Sequence, residues 1–209
     1  MGRTAVITCG PAYAPIDAVR RITNFATGEI GTLLAEELAS RGWNVVCLRG
    51  EGSTAAPPVG VKVASFSTND SLEKILQGQP QDVAAIFQAA ALCDFEVAGI
   101  SGAEGVKKLS SRSGTVSLDL RPAVKVLPKL RGFFPGAKIV GWKFECDGGR
   151  HEAIGRGLAQ IGDASTDACV VNGPAFGAGF GFLLPDGSVR DFADKRSLAR
   201  ALAEWASDS

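Results

Sequence analysis

The chain is poor in the residues that most hydrolytic and metal chemistry relies on. One histidine, His151, stands among 209 residues, flanked by Arg150 and Glu152. It falls at an expected helix start with no Cys/His cluster near it, which disfavours both a tetrahedral zinc site and a Ser-His-Asp triad. Five cysteines (Cys9, Cys47, Cys93, Cys146, Cys169) form no CxxC pair and lie mostly inside apolar segments. They read as reduced, buried thiols of a cytoplasmic protein.

Net charge is lacking too, because 22 Lys and Arg balance 22 Asp and Glu. No nucleic-acid or membrane-surface footprint is therefore expected. The longest apolar run, residues 83–93, is broken by Gln88 and too short to span a bilayer. No secretory h-region follows Met1. Repeats, linkers and shifts of composition are also missing, so one domain over residues 1–209 is the expectation. Chemistry on this chain must run on positioning, backbone donors and cations. That favours phosphoryl or nucleotidyl transfer over hydrolysis.

What the chain does have is alternation of apolar runs with helical patterns. Buried strands are predicted at residues 4–8, 44–48, 83–90, 138–142 and 167–172, with shorter ones at 61–65 and 115–120. Helices are predicted at 28–41, 70–77, 122–133 (opened by Pro122), 150–161 and 195–205. Residues 181–184 and 189–192 flank a Pro-Asp-Gly turn and read as a β-hairpin. Residues 95–108, with three glycines among small and charged residues, read as a mobile loop. Continuous apolar strands alternating with helices point to an α/β fold, a three-layer, doubly wound Rossmann-like domain. Its sheet should be mostly parallel, with a small antiparallel C-terminal hairpin.

The stretch after the first strand is long for a compact domain. It carries Gly10, Pro15-Ile16-Asp17, Arg20-Arg21 and Asn24, then Ala26-Thr27-Gly28 opening a helix with Gly31 three residues on. That mixture suits an anion-binding loop at a helix N-terminus, although Gly28-x-x-Gly31 equally suits close helix–strand packing. An ordinary dinucleotide fingerprint is disfavoured: Gly10-Pro11 breaks it, and the second strand ends in Leu48-Arg49 rather than an acid. Arg49 keeps a 2′-phosphate, and hence an NAD(P)-dependent reductase, as an alternative. Two further strands end in polar groups, Asp94 and Asn172, and all three ends should share one rim, where ligands of such sheets bind. Lys107-Lys108, in a Gly-rich loop, gains weight as a phosphate contact opposite such a site.

These residues resemble the signature of the phosphopantothenoylcysteine synthetases. GPAYAPIDAVRRITNFATGEIG, AALCDF (residues 90–95), KKLSS (107–111), GWKFECD (141–147) and VVN (170–172) occur in the family's order across nearly the whole chain. The resemblance implies a ligase of coenzyme A biosynthesis, a stand-alone counterpart of the C-terminal domain of the DNA/pantothenate metabolism flavoproteins. A nucleoside triphosphate (ATP or CTP) with Mg²⁺ activates 4′-phosphopantothenate as an acyl-nucleotidylate, and cysteine displaces the nucleotide to form an amide.

By position, the resemblance assigns Gly10, Ala26, Gly28, Gly31, Trp142 and Asn172 to the nucleotide. It assigns Arg20, Asn24, Ala90, Ala91 and Asp94 to phosphopantothenate. Asn24, Asp94 and Lys108, or Lys107 if the loop is shifted by one, are the expected catalytic residues. Arg20 is expected to reach across a homodimer interface, and no protein-held metal is implied. The chain has Ala12, Ala14 and Ala26 where the family has Thr, Glu and Ser, and has KLSS and AVKV (residues 123–126) where bacterial members have KIKK and NPDI. It lacks the lysines that bacterial members carry around Gln160 and Ala164. These departures leave a catalytically weakened, nucleotide-binding homologue as the alternative reading.

Overall fold

The computed structural model describes residues 2–101, 107–110 and 114–208. In chain order, β1 (Thr4–Cys9) leads to β2 (Tyr13–Pro15), β3 (Arg21–Thr23), α1 (Glu29–Ser40), β4 (Asn44–Gly50), β5 (Lys62–Phe66), α2 (Asn69–Gln77) and β6 (Ala85–Gln88). Next come β7 (Phe95–Ser101), β8 (Ser117–Pro122), a 3-10 turn (Leu127–Lys129) continuing into α3 (Leu130–Phe133), and β9 (Lys138–Phe144). The chain closes with α4 (Arg150–Ala164), β10 (Ala168–Asn172), β11 (Phe180–Leu183), β12 (Val189–Phe192) and α5 (Lys195–Ser207).

The main sheet runs β12-β11-β10-β9-β6-β1-β4-β5. Strands β5 to β10 in that order pair in parallel, and β11 and β12 extend the edge antiparallel. Alternation along each central strand builds the two faces. Ala5, Ile7 and Cys9 pack with Leu34 and Leu38 of α1 and with Leu198 and Leu202 of α5. Val6, Leu48, Ile86 and Ile139 pack on the other face with Leu72 and Leu76 of α2 and Leu130 of α3. On that same face α4 lays Ala153 and Ile161 against Cys169 and Val171 of β10. Leu34, fully buried in the α1–α5 layer on the first face, would cost about 2–5 kcal/mol on truncation to Ala.

The expected three-layer, mostly parallel fold is what forms, and the C-terminal hairpin is continuous with the main sheet through β10–β11 pairing. Three local expectations are corrected. Residues 95–101 are a strand paired with β8, with a bulge between Val97 and Gly99, where a mobile loop is predicted; residues 102–106 of that stretch lie outside the described residues. Strand β7 is exposed or half-buried along its length and carries no apolar stripe that would announce it, whereas β8 overlaps the strand expected at 115–120. Pro122 ends β8 rather than opening a helix, and the helical turn begins only at Leu127, with Pro128 in its first positions. The long opening loop contains a miniature antiparallel pair, β2–β3. Arg21 stacks there over the Tyr13 ring at 4.7 Å, and Thr23 Oγ1 donates to the Ala12 carbonyl at 2.8 Å.

Candidate functional site

The strand order places a reversal between β1 and β6. From β1 the chain winds out through β4 and β5, then crosses to β6 on the other side and continues through β9 and β10. Ligands of open parallel sheets bind outside the carboxyl ends of strands at such a crevice. Gly10 follows β1 there, Ala89 to Ala91 follow β6, Trp142 lies near the end of β9, and Asn172 ends β10.

The crevice is a knot of backbone bonds. The Ala91 N–H donates to the Gly10 carbonyl at 3.0 Å, and the Ala12 N–H donates to the Ala91 carbonyl at 3.0 Å. Asn24 closes it, its Nδ2 donating to the carbonyls of Ala91 at 3.2 Å and Leu92 at 3.1 Å. Two acceptors in reach fix the amide orientation. Both amide hydrogens are thereby committed, and Oδ1 is left as the atom of Asn24 without a partner among the described residues. Ala26 is half-buried in the following turn, whose Thr27 carbonyl accepts from the N–H groups of Thr54 and Ala55.

The glycines divide by role. Gly10 and Gly28 hold φ of +75° and +83°, in the region that favours glycine. Their faces converge on Ser53: a β-carbon at Gly10 would sit 1.8 Å from Ser53 Oγ, and one at Gly28 would sit 3.0 Å from it. Gly31 lies in α1 against the sheet, where a β-carbon would fall 2.2 Å from Cys9 Cβ. Its side-chain position therefore serves helix–strand contact, and only its backbone amide, in the unbonded first turn of α1, faces outward chemistry.

On the far side of the crevice Asp94 is exposed and ion-paired with Lys125 Nζ. Between the two segments sits Asn69, buried in the first turn of α2. Its Nδ2 donates to the carbonyls of Cys93 at 2.8 Å and Val124 at 2.9 Å, while its Oδ1 accepts the Cys93 N–H at 3.1 Å. The Ala123 N–H adds a bond to the Asp94 carbonyl at 2.9 Å. The pair itself is solvent-exposed and contributes about 0–1 kcal/mol to stability.

Lys107 and Lys108 are exposed and lie against the first loop, where the Ala18 N–H donates to the Lys107 carbonyl at 3.1 Å. Arg20 spends Nη1 on Asp17 and on the Leu109 carbonyl at 3.3 Å. Trp142 is half-buried, and its carbonyl accepts from Gln160 Nε2 at 3.2 Å. The Asn172 Oδ1 is buried without a partner among the described residues, as are both amide atoms of Gln88 at the end of β6. An unmet buried group costs about 1–3 kcal/mol, which a ligand donor at Asn172 would relieve.

The cations and thiols on the β4 side are internal. Arg49, buried, donates to Thr32 Oγ1 at 2.9 Å and to the Ala55 carbonyl at 2.6 Å. Its guanidinium is committed beneath the surface, which removes the group that kept a 2′-phosphate in play. Cys9 and Cys47 place their sulfurs 3.7 Å apart. The contact between the two thiols, with Arg49 close by, lowers the Cys9 pKa against the opposing effect of burial, while the same contact and burial raise Cys47. Burial pushes the Cys169 thiol up to about 12. A cleft of about 440 Å³ beside α1 is lined by Thr27, Thr32, Leu33 and Thr54, together with the carboxylates of Glu29 and Glu36. With two carboxylates and no lining cation, it opposes a polyanion. Among the described residues no three His, Cys, Asp or Glu side chains come together as a metal-holding group. No helix among them is long and apolar enough to cross a membrane.

Residues 1–203 match the model of the DNA/pantothenate metabolism flavoprotein C-terminal domain family. The chain belongs to this family.

Relatives of this C-terminal domain family include the coenzyme A biosynthesis bifunctional protein CoaBC of Thermococcus kodakarensis. It is 32% identical over 97% of this chain and 49% of its own length. The CoaBC of Mycolicibacterium smegmatis is 28% identical over 82% of this chain and 42% of its own. The chain thus spans about half the length of the curated relatives it matches. The fold is shared with the DNA/pantothenate metabolism flavoprotein of Streptococcus pneumoniae, at a TM-score of 0.86 and 20% identity over 98% of both chains. It is also shared with a Cab2 variant solved in complex with phosphopantothenate-cysteine, at a TM-score of 0.74 and 18% identity. That comparison covers 98% of this chain and 87% of the other.

Reading the domain from sequence misses Asn69, Lys125, Ser53 and Asp17. Asn69 reads only as part of a capping region, whereas the cap proper is Thr68, whose side chain accepts the Ser71 N–H. Lys125 shows in the sequence as a departure from NPDI and carries no other signal. Ser53 lies in a Pro/Ala/Ser-rich loop with nothing to distinguish it.

Proposed function

We propose that this chain is a phosphopantothenate–cysteine ligase. The observation that carries the reading is the crevice at the β1–β6 reversal, where Asn24 joins the Gly10–Gly28 turn to the Ala91-Leu92 carbonyls. One half of that crevice offers backbone amides and glycine faces to phosphates, and the other offers Asn24 and the Asp94–Lys125 pair to a polar acyl substrate.

In the first step a carboxylate oxygen of 4′-phosphopantothenate attacks the α-phosphorus of the nucleotide and pyrophosphate leaves. In the second, the free amine of cysteine attacks the acyl carbon, the nucleoside monophosphate leaves with the bonding pair, and the amine loses a proton. The triphosphate would come as its Mg²⁺ complex, in which the cation would supply partial neutralisation of the phosphate charge. The glycine turn and the first-turn amides of α1 receive phosphate oxygens. Trp142 stacks on the base, and Asn172 Oδ1 accepts from it. Asn24 Oδ1 orients the acyl group, and the lysines of residues 107–108 and Lys125 meet the charge that develops as pyrophosphate departs. We read the working unit as a cytoplasmic homodimer. Ile22, Phe95 and Leu120, exposed on the two small ribbons, and Val19 and Phe25, exposed on the chain flanking β3, supply apolar surface that a second copy would cover. Arg20 retains Nε and Nη2 for a ligand or a neighbouring protomer.

The alternative of a weakened homologue is favoured less by the burial of two departures. Ala12 is fully buried and Ala14 nearly so, so the hydroxyl and carboxylate absent there are absent from the interior. Ala26 alone remains near the crevice surface. The deciding experiment incubates the protein with 4′-phosphopantothenate, Mg²⁺ and either ATP or CTP, measuring pyrophosphate, then AMP or CMP on adding cysteine. Release of both products with one nucleotide is expected. Silence with both nucleotides, while Trp142 fluorescence still reports binding, would establish the weakened homologue instead.

A further inference from the structure

Asp17 sits in the Pro-Ile-Asp stretch of the first loop with a side chain that has no solvent exposure. Oδ1 accepts the N–H groups of Val19 and Arg20, each at 2.8 Å, an Asx-type turn that the Ile16 N–H to Arg20 carbonyl bond closes at 2.9 Å. Oδ2 does something different. It accepts the Leu109 N–H at 3.0 Å, from a residue 92 positions further along the chain, together with Arg20 Nη1. Two more bonds run between the same partners: Ala18 N–H to the Lys107 carbonyl at 3.1 Å, and Arg20 Nη1 to the Leu109 carbonyl at 3.3 Å. The backbone is therefore pinned on both sides of Lys108 by one four-residue turn of the first loop.

We infer that Asp17 is a positioning residue that clamps the Lys107–Lys108 segment to the rim of the crevice and so sets where its cations act. The inference rests on the proposed ligase reading for its consequence but not for its geometry. An ionised carboxylate is the one side chain of this size that offers only acceptors. All four donors that meet Asp17 therefore need the carboxylate itself. A neutral amide keeps one acceptor oxygen for the Asx turn but turns an NH₂ toward the Leu109 N–H and Arg20. Asp17→Asn thus releases the second segment while preserving the turn that shapes the first. Arg20 belongs to the same clamp and acts, through Nη1, within its own chain.

The test uses the full chain and two independent readouts. Trypsin cuts after Lys107 and Lys108, so nicking at this segment under native conditions measures how firmly it is held. Asp17→Asn is expected to be nicked there at least 10-fold faster than the parent, with amide exchange at Leu109 accelerated to match and cooperative unfolding retained. An unchanged nicking rate overturns the clamp, whether or not the protein is a ligase. In the ligase assay the same variant is expected to lose at least 10-fold in kcat while the KM for the nucleotide changes less than 2-fold. Faster nicking with an unchanged kcat would overturn the positioning role and leave the ligase intact. If the parent shows no turnover, the ligase reading fails, and the nicking and exchange rates still decide the clamp. Asp17→Asn is expected to lower the unfolding midpoint by what the Leu109 and Arg20 bonds to Oδ2 contribute, and Asp17→Ala, which removes the Asx turn as well, is expected to lower it further.

Discussion

Asn24 donates both amide hydrogens to consecutive carbonyls, Ala91 at 3.2 Å and Leu92 at 3.1 Å, and so ties the first loop to the end of β6 across 67 residues of chain. Removing that amide leaves two rim carbonyls to water and frees the 23–27 segment from the crevice wall. Asn24→Ala is expected to abolish amide product, by at least 100-fold, while Trp142 fluorescence titrated with ATP or CTP reports near-parental nucleotide affinity. Asn24→Asp sets a carboxylate against two carbonyl oxygens and is expected to be worse in both binding and stability. A fully active Asn24→Ala would remove this residue from the mechanism.

Gly10 and Ser53 form a second testable pair. A β-carbon at Gly10 meets Ser53 Oγ at 1.8 Å and Ser53 Cβ at 3.1 Å, in a backbone with φ of +75°. Gly10→Ala is therefore expected to lose stability by more than the roughly 1–2 kcal/mol of left-handed strain. Adding Ser53→Gly removes the clash but not the strain, so the double variant should recover part of the loss in urea unfolding. Strict additivity of the two would show that the 50–53 turn moves aside freely.

Gln88 supplies a prediction of the opposite sign. It is 4% exposed, and neither amide atom has a partner among the described residues. Replacing an unmet buried amide by an apolar group of similar size is neutral or favourable. Gln88→Leu is expected to raise stability by about 1 kcal/mol, read as a higher unfolding midpoint. A loss of phosphopantothenate affinity in that variant, with the fold intact, would instead place Gln88 among the ligand contacts.

Acid should act through Asp17. The Leu109 N–H, with those of Val19 and Arg20 and the Arg20 guanidinium, holds its carboxyl at about pKa 2, against 3.8 ordinarily. Asp194, bonded by the Ser197 N–H, and Asp186, bonded by Ser188, are lowered in the same direction. A depressed folded pKa contributes stability that is fully present above the unfolded value and is lost as pH falls through the folded one. The unfolding midpoint is expected to hold from pH 7 to about 4.5 and then fall toward pH 2. Asp17→Asn should make that fall shallower, measured by thermal scans across the range.

How much of this was legible in the chain depends on range. Ile7 alternating with Val6, and Leu34 with Leu38, carry their own periodicity, so the central strands, the helices and the doubly wound class follow from local pattern alone. Motif order carried the family, and with it the residues of the crevice as expectations. Strand β8 was legible at residues 115–120, but β7 was not, because Val97 and Ile100 find their partners at Leu120 and Leu118, and pairs separated by that much chain leave no local trace. Gly31 reads the same in sequence whether it faces a phosphate or Cys9; only the packing of α1 on β1 distinguishes them. Arg49 looked like a rim cation until its bonds to Thr32 and Ala55 placed it inside.

Residue types and their spacing, then, determined the layers, the strand ends and the chemistry available, since those depend on hydrophobic period and side-chain inventory. Tertiary structure decided which of those side chains are free to act. That Asp17 meets Leu109, Asn69 meets Cys93 and Val124, and Asn24 meets Ala91 is a consequence of loop closure over tens of residues. Its entropy is recovered only when the whole sheet has formed.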